Sequence, residues 1–158
     1  MNKFSKVSFE QYHNGGGGSR EQYDNLKLPQ RATFNSAGYD IYSPFDFVLR
    51  PRETVLIPTG IRVELDPDKY LMIVPRSGQG FKFKVQLWNT CGIIDSDYFN
   101  SDNEGHMFIK LFNDCPENKD LEVRAGTAIA QGIIQQYFIT DDDIPVTAKR
   151  NGGFGSTG

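Results

Sequence analysis

The chain alternates short apolar stretches with turn-forming residues along almost its whole length. Between Phe81 and Leu87, apolar side chains at every second position are separated by Lys82, Lys84 and Gln86. A period of two is typical of a strand with one buried face and one solvated face. We therefore expect a strand over residues 81–87.

The same pattern predicts further strands between clusters of Gly and Pro. These strands are Lys6–Tyr12, Phe47–Leu49, Thr54–Pro58, Arg62–Leu65, Tyr70–Val74, Met107–Phe112 and Ala128–Ile139, of which the last is long enough to contain a bulge. The best helical candidate is Arg20–Leu26, only about two turns long. Many short strands with few or no helices predict an all-β fold, such as a sandwich, a jelly roll or a barrel.

Composition and charge narrow the class of protein. The 158 residues correspond to about one compact domain. Seventeen basic and twenty acidic side chains give a formal net charge of -3, the wrong sign for binding long nucleic acid by counterion release. No apolar run is long enough to span a bilayer, and residues 1–10 contain no apolar signal-peptide core. We expect a soluble, cytoplasmic protein that binds neither nucleic acid nor membrane.

Cysteine and histidine are too sparse for a soft-metal site. Cys91 and Cys115 form no CxxC pair, and His13 and His106 are the only imidazoles. We therefore expect reduced, partly buried thiols and no disulfide framework. Any metal would be bound by oxygen ligands, as Mg²⁺ is.

Two segments contain residues suited to a cation or a phosphate. Asp40 follows a turn at Gly38, where Asp is also ordinary turn chemistry. Arg76, Ser77 and Gly78 follow a predicted strand and offer a guanidinium fork, a hydroxyl and closely approachable backbone N–H groups. A hairpin turn with a solvated arginine is the alternative for this second segment.

Two further segments contain candidate polar groups near predicted strands. Asp95 and Asp97 point to the same side if the chain there is extended, and only one is expected to act as a general base. The two acids could instead hold a metal, or Asp97 could brace a turn through backbone hydrogen bonds, which is the interpretation we favour for it. Gln131 lies in an apolar strand, where a phosphate could satisfy a buried amide; a surface-facing side chain is the alternative.

Glycine is concentrated in two places that we expect to be mobile. Gly15–Gly18 is a run of four glycines, and the last ten residues combine glycines with two cations, two hydroxyls and one aromatic ring. The terminal segment lacks the GK[ST] of a Walker A loop. It would suit a flap that closes over a base with a polyphosphate tail, or it is a plain tail.

Taken in order, five segments resemble the five motifs of the homotrimeric dUTP diphosphatases (dUTPases). The segments are AGYDIYS, PRSGQG, NTCGIIDSDY, AQ and GGFGSTG. The resemblance implies an all-β jelly roll assembled as a homotrimer, which hydrolyses dUTP to dUMP and pyrophosphate with Mg²⁺. Its active sites would each be built from several subunits. Residues 1–26 would be an N-terminal strand and glycine-rich extension, 27–148 the β core, and 149–158 a mobile flap.

The resemblance also implies a role for each motif residue. Asp95 would be the general base that activates water for attack on the α-phosphate, and Asp40 would hold Mg²⁺ through its water shell. Asn89, Gly92 and Ile94 would read the uracil edge, while Tyr98 would pack on the deoxyribose and leave no room for a 2′-hydroxyl. The phosphates would be held by Arg76, Ser77, Gly78, Gln131, Lys149 and Arg150. In the tail, Phe154 would cover the uracil, and Gly155, Ser156 and Thr157 would contact the terminal phosphates.

The chain departs from the family pattern at several positions. Gln79 and Gly80 replace the Leu-Ala that commonly ends the second motif, and Ala128 replaces an Arg two residues before the Ala-Gln pair. Lys149 and Arg150 replace the Arg-Gly that usually opens the fifth motif. These changes redistribute the cations available for phosphate.

A short segment after the third motif has no counterpart in the family pattern. Phe99–Glu104 forms a short insertion after the third motif, where a regulatory protein partner could bind. A nucleotide-gated binding module is therefore one alternative function. A dCTP deaminase is the other, although it would be expected to have a catalytic Glu near Asp95 and usually lacks the GGFGSTG ending.

Overall fold

The computed structural model describes residues 1–148 and 150–152. This part of the chain contains twelve strands, three short α-helices and one 3₁₀ helix, which confirms the predicted all-β class. The strands are β1 (Lys3–Lys6), β2 (Gln30–Arg31), β3 (Tyr39–Tyr42), β4 (Phe47–Leu49), β5 (Thr54–Pro58), β6 (Ile61–Glu64), β7 (Lys69–Pro75), β8 (Val85–Leu87), β9 (Gly92–Asp95), β10 (Phe108–Asn113), β11 (Leu121–Val123) and β12 (Ala128–Gln136). The helices are α1 (Phe9–Asn14), α2 (Arg20–Asp24), α3 (Ser77–Phe83) and the 3₁₀ helix Ser96–Asn100.

The strands form antiparallel sheets around one core. The largest sheet has the order β2-β3-β12-β7-β9, and a second has the order β5-β10-β8. Two-stranded pairs, β1-β6 and β11-β4, complete the jelly-roll-like arrangement. The most deeply buried apolar side chains come from both large sheets and include Ile41, Ile57, Leu71, Ile109, Leu111 and Ile129.

Strand β12 organises the five-stranded sheet. It pairs with β3 on one side and with β7 on the other, and its register on β3 shifts between Ala128 and Ala130. This irregularity confirms the predicted bulge. Beyond it, Gln131 lies opposite Asp40 on β3 and opposite Val74 on β7, so the strand brings distant motifs side by side.

The predicted strand over residues 81–87 is wrong in its first half. Residues 77–83 form α3, and only Val85–Leu87 is a strand. Phe83 packs against the core, whereas Phe81 is 93% exposed, so the alternating pattern does not correspond to one buried face. Lys84 ends the helix in the left-handed region at φ 48°, which redirects the chain into β8.

The predicted strand Lys6–Tyr12 is also wrong. Strand β1 ends at Lys6, and Ser8 then caps α1 by accepting a hydrogen bond from the Gln11 backbone N–H. A Ser followed three residues later by Gln is a helix-start signal, and here it overrides the apolar spacing. The helical candidate Arg20–Leu26 is confirmed by α2, which covers its first five residues, Arg20–Asp24.

The glycine run between α1 and α2 forms a hydrogen-bonded turn. The backbone N–H of Gly17 donates to the Tyr12 carbonyl at 2.8 Å. A Cβ at Gly17 would lie 2.5 Å from the Tyr12 ring, so close packing requires glycine there. The turn holds the two helices of the N-terminal extension together.

The outer face of the β5-β10-β8 sheet carries exposed apolar side chains. Leu56 lies opposite Lys110 in the register of β5 and β10, and it is 55% exposed. Trp88 directly follows β8, is 57% exposed and makes an edge contact with the Phe112 ring at 5.5 Å. We call this surface the outer apolar face.

None of the helices in the described residues has the length and apolar character required to cross a bilayer.

Candidate functional site

A pocket of about 230 Å³ lies beside strand β9. Its walls include the apolar side chains of Ile73, Leu87 and Met107, together with Asn89, Gly92, Ile94, Tyr98 and Arg150. Four of the residues predicted to contact uracil and deoxyribose, namely Asn89, Gly92, Ile94 and Tyr98, are therefore brought together. Among the described strands, β9 is hydrogen-bonded only to β7, so its other edge can offer backbone groups to a ligand.

Asp95 ends β9 directly after Ile94, which lines this pocket. Its side chain is 51% exposed, and its Oδ2 accepts a hydrogen bond of 2.7 Å from Nη1 of Arg150. The same Nη1 donates to Oδ1 of Asp97 at 3.3 Å. The two acids therefore point to one side, as expected, although Asp97 lies in the 3₁₀ helix. In the described residues Asp97 is held by this ion pair and not by the backbone hydrogen bonds that we favoured.

Arg150 connects the end of the described chain with the pocket. Its guanidinium carbon lies 5.6 Å from the centre of the Tyr98 ring. Its Nε is buried and has no hydrogen-bond partner among the described residues. Arg150 therefore donates to the two acids through Nη1 and keeps one buried donor without an acceptor in the described residues.

Tyr98 forms a fixed wall of the pocket. It is 4% exposed, and its hydroxyl donates to the His106 carbonyl at 2.8 Å. Burial raises the pKa of this phenol, and the hydrogen bond from Asn103 partly opposes that shift. The side chain is consequently neutral at physiological pH, and its ring offers an apolar surface to a sugar.

A second group of predicted site residues gathers where β3, β7 and β12 meet. Asp40 Oδ1 lies 3.2 Å from Nε of Arg76. Gln131 lies opposite Asp40, and its Nε2 donates to the Pro75 carbonyl at 3.2 Å. The side chain of Gln131 is thus half-buried and partnered, which disfavours the surface-facing alternative. Ser77 opens α3 next to Arg76.

Two departures from the family pattern contact each other in this second group. Gln79 Nε2 donates to the Ala128 carbonyl at 3.2 Å, so the two replaced positions form one hydrogen bond. Ala128 is buried. This hydrogen bond links α3 to the start of β12. Position 128, where the family pattern has an arginine, therefore contributes a buried contact and no positive charge. Gly78, on the same helix, has open space around its Cα and permits close approach.

The two groups of site residues lie at opposite ends of β7. Tyr70 pairs with Asp95 at one end, and Pro75 pairs with Ala130 at the other, directly before Arg76. From residue 70 to residue 76 the strand rises by about 20 Å. One copy of the chain therefore does not place Arg76 beside Asp95.

The donor set fits a magnesium ion that is held chiefly by its phosphate ligands. No group of three or more His, Cys, Asp or Glu side chains converges within the described residues. Asp40 retains one carboxylate oxygen that is not engaged by Arg76. Mg²⁺ commonly keeps several waters and binds through one or two carboxylates together with substrate phosphates, so a single Asp is sufficient.

Several predicted site residues lie outside the described residues. They are Lys149, Phe154, Gly155, Ser156 and Thr157.

Two residues that the sequence analysis did not single out for the site support its wall. Asn103 donates a hydrogen bond of 2.7 Å to the Tyr98 hydroxyl. His106 is fully buried, and its Nε2 accepts from the Gly60 backbone N–H at 2.9 Å. Burial lowers the pKa of His106 to about 4, so the imidazole is neutral at pH 7. The residue spacing of the insertion gives no signal of the contact with Tyr98.

Comparison with known proteins identifies the family of the chain. The family model of dUTPase matches residues 24–158. The deoxyuridine 5′-triphosphate nucleotidohydrolase of Lactococcus lactis is 37% identical over 135 residues, which cover 84% of this chain and 89% of that protein.

Solved structures show the same fold. The crystal structure of the dUTPase from Streptococcus mutans superposes with a TM-score of 0.68 at 27% identity and covers 87% of this chain and 98% of that one. A mutant dUTPase from phage phi11 of S. aureus, whose structure reveals the coordination of a structural Mg(II) ion, superposes with a TM-score of 0.66 at 19% identity. It covers 94% of this chain and 97% of that one. By the extent of the family match and the identity to its relatives, the chain belongs to the dUTPase family.

Proposed function

We propose that this protein hydrolyses dUTP to dUMP and pyrophosphate. The observation that carries the proposal is the position of Asp95, whose carboxylate directly follows Ile94 and is hydrogen-bonded to Arg150, two residues that line the pocket together with Asn89 and Tyr98. Membership of the dUTPase family supports the choice of substrate. The site would combine an activating base with a pocket of the right chemical character for a deoxyuridine.

The pocket would select the nucleoside in two ways. The amide of Asn89 and the free edge of β9 around Gly92 and Ile94 offer donors and acceptors to the uracil edge. Cytosine, which carries a donor where uracil carries an acceptor, would leave polar groups unpaired. The buried ring of Tyr98 would pack on the deoxyribose and exclude a 2′-hydroxyl by its bulk.

Asp95 would act as the general base. Its carboxylate would take a proton from a water molecule as the water oxygen forms a bond to the α-phosphorus. The bond from that phosphorus to the oxygen bridging to the β-phosphate would break, and pyrophosphate would leave with the electron pair. Arg150 now donates to Asp95 Oδ2, and the incoming phosphates would compete for its guanidinium.

The phosphates would be held by the second group of residues. Arg76, Ser77, Gly78 and Gln131 supply a guanidinium, a hydroxyl, an accessible backbone and an amide. Asp40 would contact the water shell of Mg²⁺. When bound, Mg²⁺ would neutralise charge on the phosphate oxygens and hold them in the geometry for in-line attack. From outside the described residues, Lys149 and the segment with Phe154, Gly155, Ser156 and Thr157 would close over the nucleotide.

The active form would be a homotrimer with shared sites. Asp95 and Arg76 belong to one reaction but lie about 20 Å apart along β7 in one copy. A neighbouring copy that brings its own Arg76 to this pocket would complete the site. The outer apolar face, with Leu56 and Trp88 exposed, offers a surface for such association.

The direct test is pyrophosphate release in the presence of Mg²⁺ from dUTP, dCTP, dTTP and UTP in parallel, with the nucleotide product identified. We expect release from dUTP with formation of dUMP, and little release from the other three. If dCTP were consumed while dUTP remained intact, the protein would be a deaminase-like enzyme. If all four nucleotides were left unchanged, the hydrolase proposal would be wrong.

A further inference from the structure

The insertion after the 3₁₀ helix folds back onto the wall of the pocket. Asn103 Nδ2 donates to the Tyr98 hydroxyl at 2.7 Å, and that hydroxyl donates onward to the His106 carbonyl at 2.8 Å. The hydroxyl therefore uses both its donor and an acceptor position. With a partner on each side, the ring of Tyr98 has one favoured orientation.

The orientation of the Asn103 amide is itself fixed. Its Oδ1 accepts a hydrogen bond from the Gly105 backbone N–H at 3.2 Å, so its Nδ2 faces Tyr98. Gly105 adopts φ +70°, and a Cβ there would lie 2.8 Å from the Cα of Phe99. Glycine is needed at this turn, because any side chain would push the two ends of the insertion apart.

The insertion is also anchored at its two ends. The guanidinium carbon of Arg62 lies 3.5 Å from the centre of the Phe99 ring. The carboxylate of Glu104 accepts from the Ser8 backbone N–H at 2.7 Å and from the Ser8 hydroxyl at 2.6 Å. Contacts with β6 and with the N-terminal extension thus hold the segment that carries Asn103. Because the loop is anchored, Asn103 can restrict the orientation of the Tyr98 ring, which a residue on a mobile surface loop could not do.

We propose that Asn103 is a positioning residue that fixes the Tyr98 ring and thereby sets the preference of the enzyme for deoxyribonucleotides over ribonucleotides. This inference rests on the proposed function, in which the sugar of dUTP packs on Tyr98. Steric exclusion of one hydroxyl requires a wall that does not yield. Without the Asn103 hydrogen bond the Tyr98 hydroxyl would keep only one of its two partners, and the ring would pivot far enough to admit a 2′-hydroxyl.

The test compares kcat and KM for dUTP and for UTP in wild type and in Asn103→Asp. Aspartate has the size of asparagine and retains an oxygen for the Gly105 N–H, but it cannot donate to Tyr98. We expect the ratio of kcat/KM for dUTP to that for UTP to fall on the order of ten-fold, the effect of one lost hydrogen bond. The change would come mainly from faster turnover of UTP.

A matched control lies next to Asn103 in the sequence. Asp102→Asn is the reverse exchange at an exposed position, so it alters charge without touching Tyr98. We expect its selectivity ratio to equal that of wild type. A change of similar size and opposite direction in Asp102→Asn would show that the charge of the loop, and not the hydrogen bond, is responsible, and would overturn the proposal.

A double-mutant cycle tests whether Asn103 acts through the hydroxyl. In a Tyr98→Phe background the acceptor is absent, so Asn103→Asp should no longer change the selectivity ratio. A full effect in that background would overturn the proposal. If Asn103→Asp melts below the assay temperature, Asn103→Ala measured at a lower temperature provides the same comparison.

The outcomes separate this inference from the proposed function. Wild-type protein that does not hydrolyse dUTP would refute both. Wild-type protein that hydrolyses dUTP, with an unchanged selectivity ratio in the folded Asn103 variants, would refute the positioning role alone.

Discussion

Single residues at the pocket rim have separable roles. Asp95 and Asp97 share the Nη1 of Arg150, yet only Asp95 ends the strand that lines the pocket. Their similar environments make them a natural pair for comparison. The chemical role proposed for Asp95 depends on its position and not on its ion pair.

Asp95→Asn is expected to lower kcat by about a hundred-fold to ten-thousand-fold, because the amide cannot take a proton from water. Affinity for a nonhydrolysable dUTP analogue, measured by calorimetry, should be nearly unchanged, since the substitution preserves the side-chain volume. Asp97→Asn is the control and should retain activity within a few-fold of wild type. Near-normal turnover of Asp95→Asn would contradict its assignment as the base.

His106 makes stability depend on pH. Its pKa is lowered by burial from 6.5 in the unfolded chain to about 4, with Glu104 opposing that shift. The unfolded state therefore binds a proton first as pH falls, and stability present above pH 6.5 is lost between pH 6.5 and 4. The loss amounts to about 3 kcal/mol at most.

The check is urea denaturation of wild type and His106→Gln from pH 7 to pH 4. Wild type should lose more free energy of unfolding than the variant over this range, because the glutamine does not titrate. Asp66, whose pKa is lowered to about 2 by its hydrogen bonds with Lys69 and the N-terminal amine, loses its contribution at lower pH. Parallel curves for the two proteins would contradict the role given to His106.

At the scale of elements, two hydrogen bonds between Ser8 and Glu104 join the N-terminal extension to the insertion. Ser8 has two functions, since it caps α1 and also donates to Glu104. Ser19 caps α2 in the same way but has no such contact with the insertion. A comparison of the two serines therefore distinguishes the stability due to helix capping from that due to the contact of the N-terminal extension with the insertion.

Ser8→Ala should destabilise the fold more than Ser19→Ala, which should cost about 1 kcal/mol as an ordinary lost cap. The additional cost should be about 1.5–3 kcal/mol, the contribution of a hydrogen bond to a charged group. Thermal and chemical denaturation of both variants would measure the difference. In a Glu104→Gln background the additional cost should shrink; if it stayed constant, the docking contact would not be its source.

The sequence predicts elements well where one pattern dominates and poorly where two patterns compete. Strands β4 and β5 match their predicted bounds, and the bulge in β12 was expected from its length. In contrast, α3 has alternating Phe and Lys residues, and only Phe83 packs partly against the core because the chain must turn back to pair β8 with β10. Alternation alone does not report which apolar side chains are buried.

The site residues, too, are predictable where one sequence pattern dominates and not where tertiary packing brings them together. Asn89, Gly92, Ile94 and Tyr98 are close in sequence and were expected to act together, and they do line one pocket. Asn103 supports that pocket through a loop closure that depends on Gly105, Arg62 and Ser8. Such a contact arises from tertiary packing, so the residue types of the insertion do not reveal it.

For the whole molecule, the separation of Asp95 from Arg76 along β7 bears on the proposal that each site is shared between copies. Sites that combine Asp95 of one copy with Arg76 of another have a property that single-chain sites lack. Two inactive variants can restore each other when they assemble together.

Asp95→Asn and Arg76→Ala should each be nearly inactive alone. Refolding the two together at equal amounts should restore about a quarter of the wild-type activity, because about one site in four combines two intact residues. Pyrophosphate release before and after co-refolding would measure this recovery, and refolding each variant alone is the control. An absence of recovery in mixed oligomers would place both residues in one copy's site.

The outer apolar face has a spectroscopic consequence. Trp88 is the single tryptophan of the chain, and it is more than half exposed on that face. If neighbouring copies cover the face, the indole moves from water to an apolar environment on association. Its fluorescence emission would then shift to the blue as copies associate and return to the red on dilution, so the protein carries its own optical reporter of assembly.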